Sequence, residues 1–424
     1  MKKMSLRNVL QFLVLCIGAN LGLAVYMLRS GYYDAFLEGY GINNTQFGTL
    51  ISLYGTMTIA TYFLGGILAD KFSPRKMIAF SMLANGLCTI YLGTFPSYGV
   101  LLAVYTIMGI TSTLTFWAAL IKITRQFGKA LGGEGKALGG LEGGRAFAQM
   151  AVGSIALLIA TRAASATAGL RTNLFMCGGI LSVMGILAWF VFTDENESTS
   201  PENPLKLIVE CLKNPSVWVA SLIVMGCYAV TSSLGSYASK MATVGFGATA
   251  ATGALIGLFN QYFNPFGSIG GGFISDRIGA AKSLSIASAG MAVIAIVITL
   301  MPKSSSSISV FMVVFAILVL FVGFSRGQFY ATLQEAKVPM HLSGTAIGLI
   351  AMIGYTPDMF MPLISGCILD KYEGTTPIQY MLIIAACFAV FAFLMTLLFR
   401  RMNKKNIAEL NEEKRRNREA KKAA

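Results

Sequence analysis

Apolar runs of about 20 residues, the length that crosses a hydrocarbon core, recur along this chain with only short polar breaks between them. They predict helices over residues 10–37, 45–69, 77–95, 99–123, 137–160 and 173–192, spans 1 to 6. The pattern then fails abruptly at Asp194-Glu195-Asn196-Glu197-Ser198-Thr199-Ser200-Pro201-Glu202-Asn203-Pro204, a polar, proline-containing stretch with the composition of a solvated linker. After a short amphipathic piece, 205–212, six more runs follow: 217–238, 248–274, 283–301, 308–333, 342–369 and 380–399, spans 7 to 12. The expected fold is an all-α membrane protein of twelve transmembrane helices. Its expected parts are a six-helix bundle over 1–193, a central loop over 194–215, a second six-helix bundle over 216–400 and a basic tail over 401–424.

Composition supports a bilayer as solvent. Hydrophobic residues make up 55% and charged residues 12% of the 424, against about 25% charged in soluble domains. A net charge of +14 would point to nucleic acid in a soluble protein. Here the placement of the cations decides otherwise. With both termini inside, Lys and Arg favour the cytoplasmic side by about five to one over the opposite loops. The expectation is a multi-pass inner-membrane protein with both termini cytoplasmic, a lipid-embedded monomer with no nucleic-acid partner. Met1-Lys2-Lys3 and the apolar run after it resemble a signal peptide, but no small-residue cleavage site precedes Arg29, so span 1 is expected to stay. The seven cysteines lie scattered through apolar runs with no CxxC or histidine pattern, so neither a disulfide framework nor a metal site is expected. Gly139-Gly140 and Gly270-Gly271-Gly272 follow no strand and lack a phosphate-loop lysine, and read as helix packing. No cofactor and no enzymatic chemistry are expected.

Charges inside spans are the candidate chemistry, because a charge at the bilayer centre costs about 2.5–3.5 kcal/mol on insertion scales. Arg29 sits about 19 residues into span 1, near the membrane middle, and is the expected anion clamp. Its alternative role is structural, pairing with Asp34 or with a carbonyl. Tyr26 and Tyr33 share its helix face at i−3 and i+4 and could bind substrate oxygens or simply pack. Glu142-Gly143-Gly144-Arg145 puts opposite charges at i and i+3, either a mutually neutral pair or one that substrate or a proton switches. Arg326, flanked by Ser325, Gly327 and Gln328 in an apolar span, is a second anion contact. Asp358, after Pro357, is a proton site, a partner for Arg326 or a kink residue. Lys122 and Trp117 lie toward the inner end of span 4, the first a candidate to snorkel and the second a cavity wall or packing residue. Asn260, Gln261 and Asn264 form a polar cluster suited to a hydroxylated solute, with a kink expected at Pro265. His341 reads as a boundary loop residue.

An internal repeat supports the division into halves. Gly66-Ile67-Leu68-Ala69-Asp70-Lys71 ends span 2, and Gly272-Phe273-Ile274-Ser275-Asp276-Arg277 ends span 8. Both read Gly-x-x-x-Asp-[Lys/Arg], and both are followed by further cations, Arg75 among them. Glycine lets helices approach and an aspartate at a helix end holds cations, so the pair reads as a conformational latch. The duplicated element in a twelve-span chain resembles the signature of the major facilitator superfamily. That resemblance implies alternating access between two bundles, with a cavity lined by helices 1, 4, 7 and 10. Tyr26-x-x-Arg29, the stretch from Gly66 to Lys71 extended by Phe72-Ser73-Pro74-Arg75, and Ser343-Gly344-Thr345-Ala346-Ile347-Gly348 resemble the organophosphate:phosphate antiporters. In that branch a first-helix arginine binds phosphate, and Arg29 matches it. The branch's helix 7 arginine falls near Thr231, its helix 2 lysine near Tyr62, and span 5 has no histidine. The substrate expectation therefore widens to sugar phosphates, sugar acids, sulfonates and carboxylates, with a coupling proton or a counter-anion. The alternatives are a proton-coupled exporter of cationic or amphipathic compounds, bound through Glu142 and Asp358, and a non-transporting sensor on the same fold.

Overall fold

The computed structural model describes residues 6–22, 24–117, 119–124, 134–193, 204–410, 412 and 416, and of Tyr26, Gly66, Asp70, Lys71, Glu142 and His341 it describes the backbone alone. Among the described residues the structure is helical, with no strand. Its elements are consistent with the twelve-span reading, and eight helices are long and apolar enough to cross a membrane.

Span 1 is built from two helices, α1 (Leu6–Leu21) and α2 (Ala24–Tyr40). Then come α3 (Asn44–Lys71), α4 (Pro74–Leu92), α5 (Tyr98–Ile110, widening to a π-helix over Thr111–Trp117), α6 (Glu134–Arg162) and α7 (Ala166–Val191). The amphipathic piece is α8 (Pro204–Leu212). Span 7 is α9 (Pro215–Leu234), a 3₁₀ turn Gly235–Tyr237, the short α10 (Ala238–Lys240) and a π segment Met241–Gly245. The rest are α11 (Ala250–Gly257), α12 (Phe259–Ile278), α13 (Ala280–Leu300), α14 (Ile308–Arg326), α15 (Thr332–Glu335), α16 (Met340–Gly354), α17 (Pro357–Lys371) and α18 (Thr376–Met402).

Starts follow local chemistry. Asn43 and Gln46 close a capping box on α3, Ser73 caps α4 ahead of Pro74, and Asn214 caps α9 ahead of Pro215. Several spans expected as single helices are interrupted, and the breaks have local causes. Gly22 follows α1, and Gly235 begins the 3₁₀ turn of span 7. Tyr355 and Thr356 separate α16 from α17 just before Pro357, which disfavours a helical residue ahead of it. In span 8 the break falls at Leu258, whereas a kink was expected at Pro265; α12 carries that proline within its continuous run.

The chain divides into two compact units: Met1–Thr199 with Ser236–Gln261 and Asp358–Glu373, and Ser200–Gly235 with Tyr262–Pro357 and Gly374–Ala424. In the first, α4 and α7 approach to backbone contact, where a Cβ on Gly178 would lie 2.7 Å from the Gly86 carbonyl oxygen. Beside them Asn85 ties α4 to the π segment of span 4. Its Nδ2 donates to Thr111 Oγ1 at 2.9 Å, and Ser112 Oγ donates to its Oδ1 at 3.3 Å. In the second unit α18 packs on α9 and α13, with the Ser285 and Thr396 hydroxyls 2.8 Å apart in the seam.

Glu335 holds the start of α13. It is 4% exposed, and its carboxylate accepts the Ala280 and Ala281 amides at 2.7 and 3.0 Å. Those amides belong to a first helical turn and have no intrahelical acceptor. Glu335→Gln replaces one acceptor oxygen by an NH₂ group facing a donor, so it should cost about 1–3 kcal/mol and lower the melting temperature in detergent. An unchanged melting temperature would show that the cap contributes nothing.

Candidate functional site

The first unit buries a guanidinium. Arg29 lies on α2 between the break after α1 and a non-helical residue, Tyr32 (φ −118°, ψ 26°), and is 2% exposed. Its Nη2 donates to Ser236 Oγ in the 3₁₀ turn of span 7. The phenols of Tyr33, Tyr105 and Tyr237 lie within electrostatic range of the guanidinium. This is a hydroxyl-rich, water-poor setting in which a charge interacts strongly with whatever polar group meets it.

Tyr33 does more than flank Arg29. Its ring packs 5.2 Å from that of Tyr237 and 5.3 Å from that of Phe47, and its hydroxyl donates to Asn44 Oδ1 at 3.0 Å. The side chain of Tyr26 lies outside those described. Asp34 pairs with Lys240 at 2.5 Å, and the same ammonium lies 5.8 Å from the centre of the Tyr33 ring.

Elsewhere in the first unit the structure brings two sequence candidates together. The Arg145 guanidinium lies 5.1 Å from the centre of the Trp117 ring, a cation–π contact between α6 and the π segment. Glu142's side chain lies outside those described, and Lys122 is half-buried. Gln261, 4% exposed, fills the space left by Gly153, and it is a polar member of a small apolar cleft whose walls include Leu28, Tyr32 and Ala156. Its neighbour Asn260 is half-buried. Asp358, in the first turn of α17, presses on α3, where a Cβ on Gly55 would lie 3.0 Å from the Asp358 Cβ. Tyr54 lies beside it, within electrostatic range of the Asp358 carboxylate.

In the second unit Arg326 ends α14, exposed, with its guanidinium 5.5 Å from the centre of the Tyr228 ring. Tyr228 packs edge-on against Tyr355 at 4.6 Å, and the Tyr355 hydroxyl lies 3.4 Å from that of Tyr330. Asn264 gives its carbonyl to a close helix contact with Gly323. Of the latch residues, Arg75 stacks 4.9 Å over Trp189, and Gly272, Asp276 and Arg277 lie at the end of α12 with both charged side chains exposed. Gly66, Asp70 and Lys71 end α3, with nothing beyond their backbone described, and the same holds for His341. Sequence reasoning missed Ser236, Tyr105, Tyr237, Tyr54 and Lys240. The first four are neutral residues inside apolar runs and carry no signal of their own, whereas Lys240 closes such a run and was a visible one.

Comparison with known proteins gives the class. The family model described as Major Facilitator Superfamily matches residues 12–358, and the chain belongs to that family. It is similar to the inner membrane protein YqcE of Escherichia coli (strain K12), 28% identical over 392 residues that cover 89% of this chain and 90% of that one. It is likewise 28% identical over 372 residues to the inner membrane protein YihN of the same strain, covering 85% and 88% of the two. A crystal structure of a bacterial homolog of the human lysosomal transporter Spinster superposes with a TM-score of 0.73 at 15% identity, covering 95% of this chain and 99% of that one. One of the nucleoside transporter NupG gives 0.69 at 14%, covering 94% and 99%. At that identity the two structures speak for the fold alone. The protein is a multi-pass bacterial inner-membrane transporter of the major facilitator superfamily and not an enzyme.

Proposed function

We propose that the protein is a secondary active transporter of a small organic anion, working by alternating access between two six-helix bundles with both termini cytoplasmic. The observation that carries this reading is Arg29, a 2%-exposed guanidinium in an apolar helix, bonded to a serine hydroxyl and within electrostatic range of three phenols. Such a cation is costly to keep in a membrane and earns its place by binding an anion. Arg326 is the second anion contact, and its tyrosine neighbours suit the apolar face of a sugar ring. Tyr26, Tyr33, Trp117, Lys122, Arg145, Asn260 and Gln261 complete the substrate set. Asp358 is the first candidate for a coupling proton, with Glu142 and Asp34 behind it. Sugar phosphates, sugar acids, sulfonates and carboxylates stand as equal members of the substrate class.

The test is thermal stabilisation of the purified protein by a panel of these anions, with organic cations and nucleosides beside them, since a ligand that binds the folded state raises its stability by RT ln(1 + [L]/Kd). A shift with one anion class that Arg29→Gln removes is the expected result. Shifts with cations alone would overturn it in favour of an exporter using Glu142 and Asp358. Ligand binding without transport in vesicles, kept when residues 403–424 are deleted while the cellular response falls silent, would favour a sensor.

A further inference from the structure

The end of span 11 reads Gly366-Cys367-Ile368-Leu369-Asp370-Lys371, the same Gly-x-x-x-Asp-[Lys/Arg] spelling found at the ends of spans 2 and 8. We propose that this stretch is a third copy of the latch element, acting at the opposite membrane face, where it clamps the end of span 11 onto the start of span 2. With the termini cytoplasmic, that face is the outer one. The proposal rests on the transporter fold and not on the anion reading of Arg29.

The chemistry of the spacing is visible in the contacts. Residues at i and i+4 share a helix face one turn apart, and here both meet the same two residues. A Cβ on Gly366 would lie 2.3 Å from the Asn44 carbonyl oxygen and 3.0 Å from the Thr45 Cα, so only glycine lets the helices meet there. Asp370 Oδ1 accepts the Asn44 backbone amide at 3.1 Å and its Nδ2 at 2.7 Å, and Oδ2 accepts the Thr45 amide at 2.7 Å. Asn44 and Thr45 open α3, where amides have no intrahelical acceptor and a carboxylate is favoured by the helix dipole. Glycine sets the distance, aspartate closes the clamp and Lys371 stays exposed at the rim.

The contact continues along the helix pair. Pro362 brings its carbonyl to within 2.3 Å of where a Gly48 Cβ would lie, and Leu363 donates its amide to Ser52 Oγ at 3.1 Å. Asn44 also accepts the Tyr33 hydroxyl, so the clamp is one hydrogen bond from the helix that carries Arg29. The copy at the end of span 8 stands differently: a Cβ on Gly272 would meet nothing within 4 Å. In this structure the copy at 366–371 is engaged. Its release is the step that frees the outer ends of α3 and α17 from each other.

Ser52, 6% exposed beneath the clamp, is the reporter. A Ser52→Cys protein also carrying Cys367→Ser, which removes the exposed native thiol on the same helix, is treated in right-side-out vesicles with a membrane-impermeant maleimide. Cys177 and Cys227, each 1% exposed, are followed as internal references for unfolding. Labelling at position 52 should rise about tenfold in Asp370→Ala and in Gly366→Val, and less in the shape-preserving Asp370→Asn, with Cys177 and Cys227 unlabelled, as loss of charge-assisted hydrogen bonds predicts. Rates unchanged in all three variants would overturn the latch. So would a rise that Cys177 and Cys227 share in all three, because the element would then be holding the whole fold and not one end of it.

Discussion

Arg29→Gln is expected to lower transport of the cognate anion by about a hundredfold, because truncating one partner of a desolvated charge pair costs about 2–5 kcal/mol. The folded protein should remain in the membrane. Glutamine inserts into hydrocarbon more readily than arginine, and Ser236, the hydroxyl that Arg29 contacts, can hydrogen-bond an amide as well as a guanidinium. Arg29→Lys is the sharper probe. It keeps the charge but gives up the planar fork of donors that grips a carboxylate, sulfonate or phosphate through two oxygens at once. If the anion is held that way, lysine should weaken apparent affinity by at least about tenfold while maximal flux falls less. Uptake into vesicles with each variant decides the matter: near-normal transport by both removes Arg29 from the site, and loss in Gln with full function in Lys reduces its role to a point charge.

How much of this was readable in advance depended on what each feature is made of. Span positions were legible because twenty apolar residues in a row have one common physical outcome. Breaks within spans were not, except at Pro357, because a glycine such as Gly22 or Gly235 permits a break without requiring one, and Leu258 carries no breaking signal of its own. Arg29 announced itself by being charged where charge is expensive. Its surroundings did not: Tyr105, Ser236 and Tyr237 come from distant parts of the chain, and neither serine nor tyrosine is unusual in an apolar run. The latch element shows the limit from the other side. Two copies were noticed because they sit at corresponding points of the two halves, and the copy at 366–371 was passed over because it sits at the end of a different span. Its contacts with Asn44 and Thr45 are visible only once the chain is folded.

The glycines of span 8 carry the other large prediction. Gly267 and Gly271 on α12 face Gly323 and Gly327 at the end of α14, four residues apart on each side, the small-xxx-small pattern that lets membrane helices meet backbone to backbone. Built Cβ atoms on Gly267, Gly271, Gly323 and Gly327 would lie 2.2–2.3 Å from the carbonyl oxygens of Leu320, Phe324, Asn264 and Ser268 respectively. Ser268 Oγ donates to the Gly323 carbonyl at 2.9 Å in the same seam. Main-chain oxygens cannot rotate away as a side chain could, so even one methyl must push the helix axes apart along the whole contact. Gly271→Ala should therefore cost about 1–3 kcal/mol, the usual toll of overpacking, and Gly271→Leu should leave no monodisperse protein after extraction into detergent. Gly270, one residue away, supplies the control, because a Cβ there would meet nothing within 4 Å. The triple run Gly270-Gly271-Gly272 thus contains one packing glycine and not three. Gly270→Leu should extract and melt like the parent. Equal melting of the Gly270→Leu and Gly271→Leu proteins would mean that the close approach of α12 and α14 does not hold the second unit together.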